Sequence, residues 1–152
     1  MSGRLDYATV APGASEAMRG IERYVRASGL EHSLLELVKV RASQLNGCAY
    51  CLDMHTKDAR AAGESEQRLY VVAAWREAPF YTERERAALE WAETVTVLGR
   101  DGVSDELYNR ARRVFSELEL VNLTMAIIAI NGWNRLSIAF RSPEPGSYTP
   151  RK

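Results

Sequence analysis

Apolar side chains return every three to four positions along most of this chain, the pattern of helices that bury one face. A first helix is predicted after Ser15 and up to Gly29, with Met18, Ile21, Tyr24 and Val25 on one side. A second opens at Ser33-Leu-Leu-Glu36, carries Leu34, Leu37, Val38, Arg41 and Leu45, and breaks at Asn46-Gly47. The third runs from Cys48 to about Ala62, with Gly63 as its stop. Ser65 caps a shorter helix through about Trp75, closed off by Pro79. Thr82-Glu-Arg-Glu85 matches a capping box and starts a helix with Ala88, Trp91, Val95 and Leu98 at helical spacing. After the turn Gly99–Gly102, Ser104 caps a helix to about Phe115. The last helix, from about Ser116 to Phe140, is apolar nearly all round between Val121 and Ile130, so it is expected in the core or against a partner subunit.

No stretch alternates apolar and polar residues over strand length and ends in hairpin chemistry. The fold class is therefore all-α, about six to seven helices in one domain over residues 14–141. An arm, 1–13, contains Pro12-Gly13 and precedes the domain. A Pro-rich tail, 142–152, follows it and cannot continue a helix; it is expected to wrap a neighbouring subunit or to move freely.

Composition narrows the function classes. The 152 residues are 46% apolar and 26% charged with zero net charge, ordinary values for a globular domain with a real core. No Lys/Arg block appears, so nucleic acid and anionic membrane surfaces are not expected partners. The longest uninterrupted apolar run, Met125–Ile130, is far too short for a membrane span. Met-Ser-Gly-Arg-Leu-Asp-Tyr has no apolar signal region, and a cytoplasmic location is expected.

The rare residues carry the chemistry. Both cysteines and one of the two histidines fall within eight positions, Cys48-Ala-Tyr50-Cys51-Leu-Asp-Met-His55. On a helix, Cys48 and Cys51 share a face with Cα atoms about 5 Å apart, inside the range a disulfide accepts. His55 lies one turn past Cys51 on that face. Closing so short a loop removes only roughly 2 kcal/mol of unfolded-chain entropy, a poor structural staple. A pair that opens and closes suits redox chemistry, because the second thiol resolves what the first becomes. A free thiol with pKa about 8.5 needs a base or a positive field to react as thiolate. His55 can be that base, with Glu36 to orient it.

Glu36, eleven residues, Cys48-Ala-Tyr-Cys51, three residues and His55 together resemble the signature of AhpD-like alkylhydroperoxidases in the carboxymuconolactone decarboxylase superfamily. Arg41, Ser43, Asn46, Gly47 and the segment Asn131-Gly-Trp133-Asn-Arg135 are similar to that family too. The resemblance implies an all-helical fold, homo-oligomers (trimers or hexamers), no cofactor, and thiol-dependent reduction of hydroperoxides with an external dithiol as reductant. It further implies roles: Cys51 attacks, Cys48 resolves, and His55 with Glu36 relays protons. The lactone decarboxylase branch of the superfamily is not expected to need a cysteine pair.

Rival readings stand beside these. Ser33-x-x-Glu36 is itself a capping box, in which Glu36 turns back to its own helix end and cannot orient His55. With Asn46 as helix cap, Cys48 rather than Cys51 feels the helix dipole most. Cys48, Cys51, His55 and Glu36 match the ligand count of zinc. However, Cys48 and His55 stand about 10 Å apart along a straight helix, too far for bonds of about 2.0–2.3 Å to one ion. A non-enzymatic metal or redox protein is the remaining alternative. Tyr50 is a candidate for the substrate pocket, Arg41, Ser43 and Asn46 are expected to hold the helix–helix connection, and His32 is expected to be a solvated surface residue.

Overall fold

The computed structural model describes residues 3–150; the outermost residues of the arm and tail lie outside it. Eight α-helices and one 3-10 turn make up the regular structure of the described residues, with no strand. They are α1 (Tyr7–Val10), α2 (Pro12–Arg26), α3 (His32–Asn46), α4 (Ala49–Ala61), α5 (Glu66–Val71) with the 3-10 turn Val72–Ala74, α6 (Glu83–Thr96), α7 (Asp105–Val114) and α8 (Glu117–Phe140).

α3 is the centre of the packing, lying against α4, α6 and α8. Its pattern explains why: Leu34 to Val40 is buried on every side, including Glu36 and Lys39. Leu37 and Val40 pack toward Leu69, Val72 and Trp75, while Leu34, Leu35 and Val38 join Leu123 and Ile127 of α8. Gly47, at φ +69° after α3, takes the left-handed conformation that lets the chain turn back into α4. Gly132 lets α2 and α8 approach, since a Cβ there would come 2.6 Å from Met18 Cε.

Helix boundaries differ from the sequence reading where local chemistry was misjudged. Pro12 starts α2 three residues before Ser15, because proline fits the first helical position, whose N–H has no partner anyway. Within the arm, Asp6 caps the single turn α1, its Oδ1 accepting from Ala8 N at 3.1 Å. α3 begins at His32 with no side-chain cap, so the Ser33–Glu36 capping box does not form. Asn46 is the last residue of α3 rather than the cap of α4. The Thr82–Glu85 box forms, and so does one at Ser116–Glu119.

α8 answers the question its apolar sequence raised. Leu123, Ile127 and Ile130 are fully buried, while Leu118 and Val121 on the opposite face are more than half exposed. The tail lies against its own chain. It folds back on α4, where Gly146 N donates to Asp53, Lys57 Nζ donates to the Tyr148 carbonyl, and the Tyr148 hydroxyl donates to Asp58. Among the described residues, no single helix is long and apolar enough to cross a membrane.

Candidate active site

The connection between α3 and α4 places Cys48 at the N-cap of α4, with its sulfur accepting from Cys51 N at 3.4 Å. Cys51 is in the first turn and His55 one turn further, and all three are buried. Both thiols are reduced. The connection is braced from α8: Asn134, fully buried, donates to Ser43 Oγ at 3.0 Å and accepts from Asn46 Nδ2 at 2.8 Å. Arg41 points away to Glu93 at 2.7 Å. Arg41, Ser43 and Asn46 therefore hold the helices together, as expected, and none of them faces the cavity described below.

The two thiols are not equivalent. The neighbouring Cys51 thiol, with the Cys51 N–H and the Asn134 and Ser137 side chains, lowers Cys48 to about 7 against the opposing effect of burial. Cys51 is pushed up, first by the Cys48 sulfur beside it and then by burial and the neighbouring charge. The two sulfurs titrate as a pair that gives up its first proton more easily than an ordinary thiol, with Cys48 the favoured site of the charge. Helix geometry favours the same sulfur, since the N-cap feels the positive end of the backbone dipoles most.

Glu36 reaches across from α3 and accepts from His55 Nδ1 at 2.8 Å, with both side chains buried. This resolves the alternative left by the sequence, because Glu36 orients His55 and does not cap its helix. Burial alone would raise the Glu36 carboxyl. The bond from His55, with the charges of His55, Lys39 and His32, outweighs it and holds the carboxyl below the usual carboxylate range. Lys39 Nζ stands 3.7 Å from Glu36 and 3.3 Å from Glu22. His32 is exposed as expected, yet its Nε2 lies 3.7 Å from Glu36 Oε1 and so belongs to this cluster.

These groups meet at one cavity of about 730 Å³. Cys51, His55, Glu36 and Tyr50 line it; Cys48 does not. Tyr7, Trp133 and Ser137 form its far side, and Pro143 and Tyr148 of the tail close another. Ser137 Oγ lies 4.0 Å from Cys51 Sγ. Sequence reasoning missed Tyr7, Ser137 and Tyr148, and gave Trp133 no chemical role. Trp133 and Asn134 lay in a segment already singled out. The four-ligand zinc set does not converge. The close grouping is instead Glu36, His55 and Asp58, whose ligand atoms lie within 4.8 Å of one another, with Lys39 already supplying a positive charge to Glu36.

The chain is similar to known proteins in sequence and fold. The carboxymuconolactone decarboxylase family matches residues 12–94. YdfG of Bacillus subtilis, an uncharacterized protein, is 47% identical over 139 residues, 91% of this chain and 95% of its own. The crystal structure of a protein of unknown function from Agrobacterium tumefaciens, linked by name to AhpD antioxidant defence, is 44% identical with a TM-score of 0.89 over 99% of this chain and all of that one. A debrominase holding 2,3,4-tribromopyrrole shares the fold at 20% identity, with a TM-score of 0.80 over 91% of this chain and 74% of that one. On the strength of these matches and its AhpD-like helical architecture, the chain belongs to the carboxymuconolactone decarboxylase family.

Proposed function

We propose that this chain is a thiol-dependent peroxidase that reduces organic hydroperoxides through Cys48 and Cys51. The observation that carries the reading is the shared cavity wall: Cys51 faces the same space as the Glu36–His55 pair, while its partner thiol lies directly behind it. A cavity of about 730 Å³ also has room for a bulky organic group beyond the peroxide itself.

The mechanism follows from where the protons sit. His55, steadied by Glu36, takes up the proton the dithiol pair releases, through a water in the cavity. Movement of the remaining proton from Cys51 to Cys48 puts the charge on the sulfur that faces the substrate. Cys51 then attacks the terminal peroxide oxygen; the O–O bond breaks, giving a sulfenic acid and an alkoxide. His55 returns its proton to the alkoxide, which leaves as the alcohol. Cys48 condenses with the sulfenic acid, and a disulfide and water form. The two thiols are oxidised and the hydroperoxide is reduced. An external dithiol protein resets the disulfide by exchange. This order keeps Cys51 as attacker by access, although Cys48 is the favoured site of the charge.

The exposed apolar stripe of α8, Leu118, Val121 and Ile128, supports assembly with further copies of the chain. The direct test of the activity gives fully reduced protein one equivalent of cumene hydroperoxide. Rapid loss of both thiols, with a 48–51 disulfide identified by mass, is expected; loss at the rate of an ordinary free cysteine would sink the proposal.

A further inference from the structure

The relay as described ends at Glu36, but the structure continues it in the other direction. Asp58 follows His55 by one turn of α4 and borders the same cavity. One oxygen each of Asp58 and Glu36 and a ring nitrogen of His55 all lie within 4.8 Å of one another. His55 is therefore flanked by two carboxylates, one from α3 and one from α4. Their surroundings differ. Glu36 has Lys39 at 3.7 Å, and Lys39 is shared with Glu22 of α2. Asp58 has no ion-pair partner among the described residues; it accepts instead from the Tyr148 hydroxyl at 2.7 Å. Burial and that bond push Tyr148 up to about 12, so it stays a donor across the neutral range.

Other charged or titratable groups at this cavity are Glu22, Arg19, Arg26 and His32, the Tyr7 and Tyr50 hydroxyls and the Cys51 thiol. α8 presents only uncharged Trp133 and Ser137. When His55 holds a proton, Asp58 is thus the second negative charge beside it, and attraction at such a range in a partly buried site is substantial.

We propose that Asp58 and Tyr148 are positioning residues of the His55 relay. Asp58 stabilises His55 while it carries the proton taken from the dithiol pair. Tyr148 locks the Asp58 carboxylate in the orientation that does so, and the C-terminal tail thereby completes the acid–base apparatus. The inference rests on the peroxidase reading for its substrate, but not for its effect on the thiols.

The experiment uses the reduced full-length protein and two probes. Iodoacetamide at pH 7 reports thiol activation with no peroxide present, read by fragment-ion mass spectrometry as carbamidomethylation at Cys48 and at Cys51 separately. Cumene hydroperoxide reports the full reaction. Tyr148→Phe and Asp58→Asn are each expected to slow both probes about tenfold, the size of a lost charge-positioning contact. The double variant should be no slower than either single, because the two side chains act as one unit. Asp58→Glu, which keeps the charge, should recover most of the rate. Asp53→Asn, which loosens a different tail anchor, should stay within about twofold.

Unchanged alkylation in both single variants, or losses that multiply in the double variant, would overturn the inference. So would an equal loss in Asp53→Asn, since the tail would then act only as a cover. If wild-type thiols resist cumene hydroperoxide while the alkylation pattern holds, the peroxidase reading fails and the Asp58–Tyr148 assignment stands.

Discussion

The cavity has two walls of different origin. One is helical: α4 delivers Cys51 and His55 at a spacing that places them together, and α3 brings Glu36 to His55. The other is the tail, where Pro143 and Tyr148 reach the site only because Gly146, Lys57 and Tyr148 make hydrogen bonds spanning some ninety residues of sequence. The helical wall is held by backbone hydrogen bonds and by a dry core behind it. The tail wall is held by a few polar contacts at a part-exposed surface. Chemistry that needs fixed distances therefore belongs on the first wall, and adjustments to it belong on the second.

The sharpest way to break that division is to remove the reacting sulfur. Cys51→Ser should abolish hydroperoxide-dependent oxidation to the level of a protein-free blank. Cys48→Ser should still react once and leave a sulfenic acid on Cys51, trapped by dimedone and seen by mass spectrometry. Equal residual turnover in the two variants would reverse or dissolve the assignment of attacker and resolver. Next in size is Glu36→Gln, which keeps the shape but removes the charge that holds His55. Stopped-flow oxidation should slow on the order of 100-fold, the usual contribution of a positioned acid–base group.

Acidity tests the same wall without mutation. Cys48 lies at about 7 in the folded protein, below its ordinary 9.0, so its ionisation adds stability that is present above pH 9 and is lost as pH falls through about 7. Cys51 is shifted the other way and opposes this only above the ordinary thiol range. The reduced protein should therefore gain absorbance at 240 nm equal to one thiolate around pH 7, with oxidation speeding up about tenfold between pH 6 and 8. Two thiolates appearing together near pH 9 would mean that the two sulfurs do not titrate as a pair.

Asn134→Ala probes the brace behind the dithiol. Ser43 and Asn46 would lose a buried partner, and urea unfolding should report a loss of about 1–3 kcal/mol. The smallest effect is expected at the outer anchor of the tail, where Asp53→Asn weakens the acceptor of Gly146 N by removing its charge and should leave oxidation within about twofold. A larger loss there than in Glu36→Gln would invert the comparison.

Much of the helical wall was legible in the sequence. Cys48, Cys51 and His55 are consecutive in helical phase, and Gly47 and Gly63 mark the ends of their helix. Glu36 was ambiguous because one short motif, Ser33-x-x-Glu36, serves both a cap and a relay; only the position of His55 in space decides between them. Asn46 was misread for a similar reason, since an Asn before a helix is a credible cap until a buried Asn134 claims its side chain. Tyr148 and Ser137 carried no local signal at all.

The sequence by itself determined the helices, their apolar faces and the alignment of two thiols and an imidazole, because these follow from periodicity within a few residues. Only the tertiary structure decided which sulfur is the favoured site of the charge, which faces the cavity, and which carboxylates flank His55. Charge and access depend on what stands within a few ångströms, and at this site those neighbours come from α3, α8 and the tail, far from Cys51 along the chain.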